Sequence, residues 1–230
     1  MPRIQVITPT IGTEFLQQAI DSVYNQTMKT EHLIVVDGSR DMEIKLYENC
    51  SYIVLPENTG ANKYNGHRVY ASMPLISNAD YIVFLDEDNW FDADHIEKMY
   101  QFITENNLPW CYSLRKIVNQ DGEYLFDDNC ESLGDWPPAT GNQKLIDTSC
   151  YMFKRQTLIR SAHHFYGNDV SQDRLFFEGL RKDYPDYLCN GEYSVNYRAR
   201  DQLVPHMENA NKVTERHFNG EYPWRKYAKV

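Results

Sequence analysis

The chain has 230 residues, 42% of them hydrophobic, and a formal net charge of −10 at pH 7. That is enough apolar material for one sizeable globular core. The acidic balance excludes a general nucleic-acid binder, because phosphate-backbone contacts need a basic stripe, but it allows one small phosphorylated ligand held through a bridging cation.

In chain order, IQVIT (4–8) is a short apolar run that ends in Thr8-Pro9-Thr10 and reads as a buried strand. Through TEFLQQAIDSVYNQT, Phe15, Leu16, Ala19, Ile20 and Val23 recur at three- and four-residue spacing, the apolar face of a helix. HLIVVDGS is a second strand, stopping at Asp37-Gly38, and YIVLPENTG a third, stopping at Pro56. ANKYNGHRVYASMPLISN has looser helical spacing, and DYIVFLDED is a fourth strand. Short apolar runs separated by helical patterns imply βαβ units and a mainly parallel sheet. Ligands of such sheets gather beyond the carboxyl ends of the strands. Here those ends carry Thr8-Pro9-Thr10, Asp37-Gly38, Glu57-Asn58-Thr59-Gly60 and Asp86-Glu87-Asp88.

The second half is less regular. DADHIEKMYQFITENN reads as a helix with Ile96, Met99, Tyr100 and Ile103 on one face. Asp121-Gly122 lies between strand-like runs, a hairpin signal. The loop GDWPPATGNQ (134–143) precedes strand-like LIDTSCYMF; SQDRLFFEGLRK is a helix and YSVNYRAR a late strand. From Asp201 onward the chain is polar, punctuated by aromatics, and shows no clear period. With no repeat or linker, the expectation is a single domain over 1–230: a nucleotide-binding half to residue 90, an acceptor and catalytic half to residue 200, and a tail or lid over 201–230.

Five scattered cysteines (Cys50, Cys111, Cys130, Cys150, Cys189) lack zinc spacing and read as free thiols in a reducing cytosol. No run has the apolar core of a signal peptide or the length of a membrane span. The expected location is cytoplasmic, with peripheral association at the inner face of the membrane left open.

The acidic triplet 86–88 has three readings. A solvated turn is the ordinary one. A calcium loop fails, since the fifth and sixth positions counted from Asp86 are Trp90 and Phe91. In the third, Asp86-x-Asp88 presents spaced carboxylates to a hard divalent cation that bridges a diphosphate.

Taken together, VITPT, VVDGS, NTGANKYNG and YIVFLDED, in that order and spacing, resemble the family 2 glycosyltransferases of the GT-A fold. The resemblance covers roughly the first 90 residues. It implies a mixed, mainly parallel α/β sheet flanked by helices, with an irregular C-terminal acceptor region. It assigns Thr8, Pro9, Thr10 and Asp37 to the nucleoside, with Asn58 and Gly60 in the segment leading to the D-x-D strand. It assigns Asp86 to the ribose or a metal-bound water, and Asp88 to the cation, Mn2+ or Mg2+. Of Lys63, His67 and Arg68, at least two are expected on a solvated helix face; Arg68 is preferred for the phosphates because its fork suits them.

An inverting transfer needs a general base for the acceptor hydroxyl. The resemblance places it at Asp173, where Gln172 departs from the usual acidic neighbour, with Glu178 as runner-up. Ser171 as a helix cap is the competing explanation of this stretch. Trp136 could stack on a sugar, Asp147 reads as structural, and His206 is the favoured late metal ligand over His217. Tyr222, Trp224 and Tyr227 fit a lid, a membrane-surface anchor or a partner helix equally well.

The resulting expectation is a metal-dependent, inverting transferase. It would move sugar from a nucleotide-diphosphate donor, foremost a UDP-sugar, to a glycan or glycolipid acceptor in bacterial surface-polysaccharide synthesis. Weaker alternatives are a sugar-nucleotide nucleotidyltransferase, which TPTIGTEF disfavours for lack of basic residues, and a non-catalytic nucleotide-sugar binder. Donor sugar, acceptor, linkage and oligomeric state are not written in the sequence.

Overall fold

A computed structural model describes residues 2–39, 43–136, 139, 144–165 and 172–227. Its organising element is β1 (Ile4–Thr10), buried along its whole length and flanked by parallel β2 (Glu31–Val36) and β4 (Tyr81–Phe84). β3 (Cys50–Val54) continues the sheet beyond β2, with Tyr52 and Val54 exposed at the edge. The chain therefore winds away from β1 on one side and returns to its other side, a topological switch point that opens a crevice above the strand ends.

Pro9 lies in this central strand, where a missing N–H would ordinarily break a ladder. The Ile7 carbonyl accepts from Leu85 N on the β4 side, and alternation aims the Pro9 nitrogen the same way. The β1–β4 pairing ends at Ile7–Phe84, so no partner is left without a donor. A proline is tolerated because β4 has already turned away into Asp86.

Nine strands among the described residues form one sheet in the order β3-β2-β1-β4-β8-β6-β9-β5, with β7 paired to β6. β8 (Tyr151–Lys154) runs antiparallel to both β4 and β6 (Trp110–Val118). β9 (Tyr187–Arg198) is parallel to β6, and short β5 (Trp90–Phe91) pairs antiparallel with it. β7 (Tyr124–Asp127) closes the hairpin expected at Asp121-Gly122, with Gly122 at φ +85°.

Three helices follow the sequence pattern. α1 (Leu16–Tyr24) buries Leu16, Ala19, Ile20 and Val23, whereas Phe15 turns out toward the crevice. α3 (His95–Glu105) buries Ile96, Met99 and Ile103, with Phe102 in place of Tyr100. α5 (Gln172–Asp183) buries Phe176, Phe177 and Leu180. α2 (His67–Ile76) starts only after the NTGANKYNG segment, which stays a loop with Asn62, Lys63 and Asn65 at positive φ. α4 (Arg155–Ser161) follows β8 directly.

Two expectations are corrected. LIDTSCYMF is not strand throughout: Asp147 accepts from Ser149 N at 2.9 Å and turns 148–150 into one 3-10 turn before β8 begins. Local Asp-to-backbone bonding of this kind competes with the sheet ladder. The tail contains α6 (Val204–Phe218), ended by Asn219 in the left-handed conformation. It buries only Met207 and Thr214, too few apolar contacts to leave a period in the sequence.

Beyond α6, Trp224 is 1% exposed and donates Nε1–H to Asn129 Oδ1 at 3.2 Å. Its ring stacks on Tyr222 with centroids 5.1 Å apart and tilts against Trp136 at 5.9 Å. Of the three roles open to the tail aromatics, Trp224 takes none; it is core. No helix among the described residues is long and apolar enough to cross a membrane, and all five cysteines are free thiols.

Replacing a buried tryptophan leaves a large cavity. Trp224→Ala is expected to destabilise the fold by about 3–5 kcal/mol, read as a lower urea midpoint. An unchanged midpoint would show that the tail only rests on the surface.

Candidate active site

The strand ends of β1, β2 and β4 open onto a cavity of about 660 Å³, which also reaches the start of α5. The acidic triplet divides its labour by direction. Glu87 turns back on the β1–α1 loop, accepting from Ile11 N at 3.1 Å, Thr13 N at 3.0 Å and the Thr10 hydroxyl. With Glu87 anchored there, Asp86 and Asp88 line the cavity on either side of it.

Asp37 is 2% exposed at the end of β2 and accepts Thr59 N on one oxygen and Gly60 N on the other, both at 2.7 Å. A Cβ on Gly60 would lie 2.3 Å from the Asn65 carbonyl, so only glycine lets the loop close on Asp37. Each carboxylate oxygen keeps a further lone pair. Asp37 can thus hold the loop and still face a ligand, since it lines the cavity with Pro9, Thr10, Asn58 and Gly60.

Asp86 accepts from the Tyr70 hydroxyl at 2.5 Å, and its own N–H donates to Ser149 Oγ at 3.2 Å. The Asp88 carbonyl accepts from Arg198 Nε at 3.3 Å, and Arg198 N donates to Asn89 Oδ1 at 3.1 Å. The Arg198 guanidinium lies over Phe15 at 4.1 Å and Trp90 at 5.1 Å, fixing the backbone that presents Asp88.

Opposite stands Asp147, which accepts from Arg115 at 2.6 Å. Arg115 is 2% exposed, and its guanidinium is shared with Asp128 at 2.7 Å and Glu131 at 2.5 Å. A buried arginine in a β-strand is retained only with such partners. Asp173, in the first turn of α5, accepts from His67 Nε2 at 3.1 Å and Thr148 Oγ1 at 3.3 Å through the same oxygen, Oδ1.

Asp86, Asp88, Asp147 and Asp173 thus line one cavity, together with Asp37, Glu87 and Glu131. Burial pushes the Asp86 carboxyl well above the usual range, and repulsion from Asp147 and Asp88 adds to it. Burial and the Asp147 charge raise Asp88 too. Asp147 is raised by burial in spite of Arg115.

That charge excess is the structural test for a cation, and the residues fit one. A divalent ion would be held by Asp88 with Asp86 behind it. Among the described residues, the only three side chains with ligand atoms within 4.8 Å of one another are His163, His164 and Asp183, outside the cavity. The cavity acids do not reach that spacing, so a cation there would have to take most of its oxygens from phosphate and water.

Other expected site residues lie elsewhere. Thr8 is buried and pairs with His32 Nε2 at 2.9 Å, beneath the cavity rather than in its lining. Arg68 is exposed, stacks on Tyr64 at 3.5 Å and donates to the Thr59 carbonyl, also outside the lining. His206 is exposed in the first turn of α6 and does not line the cavity either. Glu178 is engaged with Arg181 at 2.8 Å, and Trp136 packs on Trp224. Gln172 donates to the His164 carbonyl and is buried; Ser171 and most of the 134–143 loop fall outside the described residues.

Sequence reading missed Tyr70, Arg115 and the burial of His67. Of these only Arg115 left a signal: a charged residue inside the apolar run WCYSLRKIV needs buried counter-charges.

Comparison with known proteins bears on family and fold. The model of Glycosyl transferase family 2 matches residues 5–166. An uncharacterized glycosyltransferase of Haemophilus influenzae is 30% identical over 159 residues, 65% of this chain and 54% of that protein. A putative teichuronic acid biosynthesis glycosyltransferase of Bacillus subtilis, TuaG, is 27% identical over 135 residues, 54% of this chain and 51% of that protein. The chain thus spans about half the length of these two relatives. The poly(ribitol-phosphate) beta-N-acetylglucosaminyltransferase TarP of Staphylococcus aureus is 34% identical over 234 residues, 93% of this chain and 68% of that protein. Among solved structures, S. aureus TarS (residues 1–349) in complex with UDP-GlcNAc superimposes with a TM-score of 0.63 at 13% identity. The match covers 96% of this chain and 68% of that one, a likeness of fold.

A carboxyl that holds its proton more tightly folded than unfolded favours the folded state at low pH. That advantage is lost as the pH rises from the ordinary carboxylate range through the elevated folded value. For Asp86, ionisation therefore costs stability at neutral pH. In protein kept free of metal by chelator, Asp86→Asn is expected to raise the melting temperature near neutral pH, by about 2–4 °C for each kcal/mol relieved. The gain should shrink as wild-type Asp86 becomes protonated toward about pH 4. A pH-independent change in thermal melts would show that the Asp86 charge is not the source of strain.

Proposed function

The chain belongs to glycosyl transferase family 2 and has the GT-A fold, and from that premise we propose a metal-dependent, inverting transferase acting on a UDP-sugar. The observation that carries the reading is the meeting of Asp86 and Asp88 from β4 with Asp173 from α5 in one cavity at the carboxyl ends of the sheet. Thr10, Asp37, Asn58 and Gly60 line the nucleoside end. Asp88, backed by Asp86, would hold Mn2+ or Mg2+ on the diphosphate. When bound, the cation neutralises charge on the departing diphosphate.

Asp173 lines the same cavity with its side chain 38% exposed, and would take the proton of an acceptor hydroxyl as that oxygen attacks the anomeric carbon. Arg115 and Tyr70 keep Asp147 and Asp86 oriented without entering the chemistry. A hydroxyl-bearing glycan or glycolipid of a bacterial surface polymer is the proposed acceptor. TarP, by its name, transfers N-acetylglucosamine to poly(ribitol phosphate), so UDP-N-acetylglucosamine with that polymer is the first pair to assay. Work at the membrane face would suit a polymer built on a lipid carrier.

UDP release from UDP-N-acetylglucosamine, UDP-glucose and UDP-glucuronic acid is measured with and without acceptor polymer, in Mn2+, Mg2+ or chelator. Metal-requiring, acceptor-stimulated release is expected for one donor; release unaffected by chelator would remove the cation from the reading. Thermal shift follows binding independently, because a ligand of the folded state stabilises it. Asp88→Ala should lose the Mn2+-dependent shift with UDP-sugar. Asp173→Asn should retain that shift and lose transfer by about 10²–10⁴-fold, the usual worth of a general base. Retained turnover in Asp173→Asn would move the base elsewhere.

A further inference from the structure

The structure assigns to His67 the positioning of the Asp173 carboxylate: it donates its Nε2 proton to Oδ1 and leaves Oδ2 to receive the acceptor proton. This rests on Asp173 being the base, as proposed above.

His67 opens α2 and is 6% exposed, unlike its neighbours Lys63 and Arg68. Gly66 before it packs so closely on the end of β1 that a Cβ would lie 2.6 Å from Pro9 Cγ. That contact fixes where α2 begins relative to the nucleotide-facing strand. The imidazole lies nearly parallel to Phe165, with centroids 5.9 Å apart and a 20° tilt. Phe165 in turn stacks at 3.7 Å on Phe176, one turn along α5 from Asp173. One aromatic stack therefore ties the histidine ring to the helix that carries the carboxylate.

The bonding then selects one oxygen. His67 Nε2 and Thr148 Oγ1 both reach Asp173 Oδ1, at 3.1 and 3.3 Å, and among the described residues no donor reaches Oδ2. A carboxylate accepts only, so Nε2 must carry the proton. Nδ1 is buried without a partner among the described residues, which suits the tautomer with no hydrogen there. Two donors on one oxygen restrain rotation of the carboxylate, and Asp173 lines the cavity. In the transfer, the acceptor O–H proton passes to Oδ2 and the acceptor oxygen bonds to the anomeric carbon. The bond from that carbon to the diphosphate breaks with its electron pair leaving on the diphosphate. A fixed base geometry is worth much in such a step, since misplacement of about 1 Å can cost roughly 100-fold.

The test uses two replacements of His67. Leucine removes the donor at similar volume, whereas glutamine places its Nε2 where the imidazole Nε2 lies. With UDP-N-acetylglucosamine, Mn2+ and poly(ribitol phosphate), His67→Leu is expected to lower kcat by about 10–100-fold with donor KM and the UDP thermal shift unchanged. His67→Gln should recover most of that loss. Combined with Asp173→Asn, His67→Leu should add no further loss. If Asp173→Asn abolishes transfer while His67→Leu leaves kcat unchanged, or leucine and glutamine lose equally, the positioning role falls and the base stands. If Asp173→Asn keeps its turnover, the base reading itself has failed. A readout independent of donor and acceptor is the imidazole 15N spectrum. His67 should appear as the neutral Nε2–H form, with its Nε2 proton shifted in Asp173→Ala; an Nδ1–H form, or no change in that variant, overturns the assignment.

Discussion

The constraint from which the rest follows is electrostatic: Asp86, Asp88, Asp147 and Asp173 share one cavity with three further acids, and the buried Arg115 guanidinium beside them is already divided among three acids. Burial first, and repulsion between the ionised acids second, make Asp86 and Asp88 hold protons more tightly than exposed acids. Such an arrangement is unfavourable for folding taken by itself and becomes favourable when positive charge enters. The stability given up at the site is supplied elsewhere, by a core that includes Trp110, Phe84, Phe153, Phe176 and Trp224, each almost fully buried.

The fold brings these groups together by ending its strands unevenly. β4 stops at Phe84 while β1 continues to Thr10, so the chain after β4 passes over the end of β1 and Glu87 can hook onto its loop. Pro9 is compatible with that step because the ladder on its side has already ended. The cavity-facing residues at the ends of β1, β2 and β4 are thus products of register rather than of loop flexibility. The antiparallel insertion of β8 between β4 and β6 then carries Asp147 across to face Asp86.

Much of the first half was legible because a buried parallel strand must be continuously apolar and must end in whatever chemistry the crevice uses. Asp37, Asn58, Gly60, Asp86 and Asp88 all announced themselves by that break. Other residues were misplaced because the sequence shows residue type without direction: Thr8 alternates inward to His32, Arg68 folds back on Tyr64, and His206 stays exposed on α6. α6 itself was hidden, since a helix that buries two residues on one face leaves almost no periodic signal. Asp147 read as structural because its local turn, its tie to Arg115 and its place opposite Asp86 depend on residues far apart in the chain.

By itself the sequence determined the class of the sheet, its winding and the strand-end acids, because burial period and abrupt charge are local properties. It also marked Asp173 at the opening of a helix. What only the tertiary structure decided is which charges meet. Glu87 anchors the β1–α1 loop, Arg115 neutralises three acids at once, and His67 comes within hydrogen-bond reach of a carboxylate 106 residues away. Those pairings join elements far apart in the chain, which no local spacing encodes.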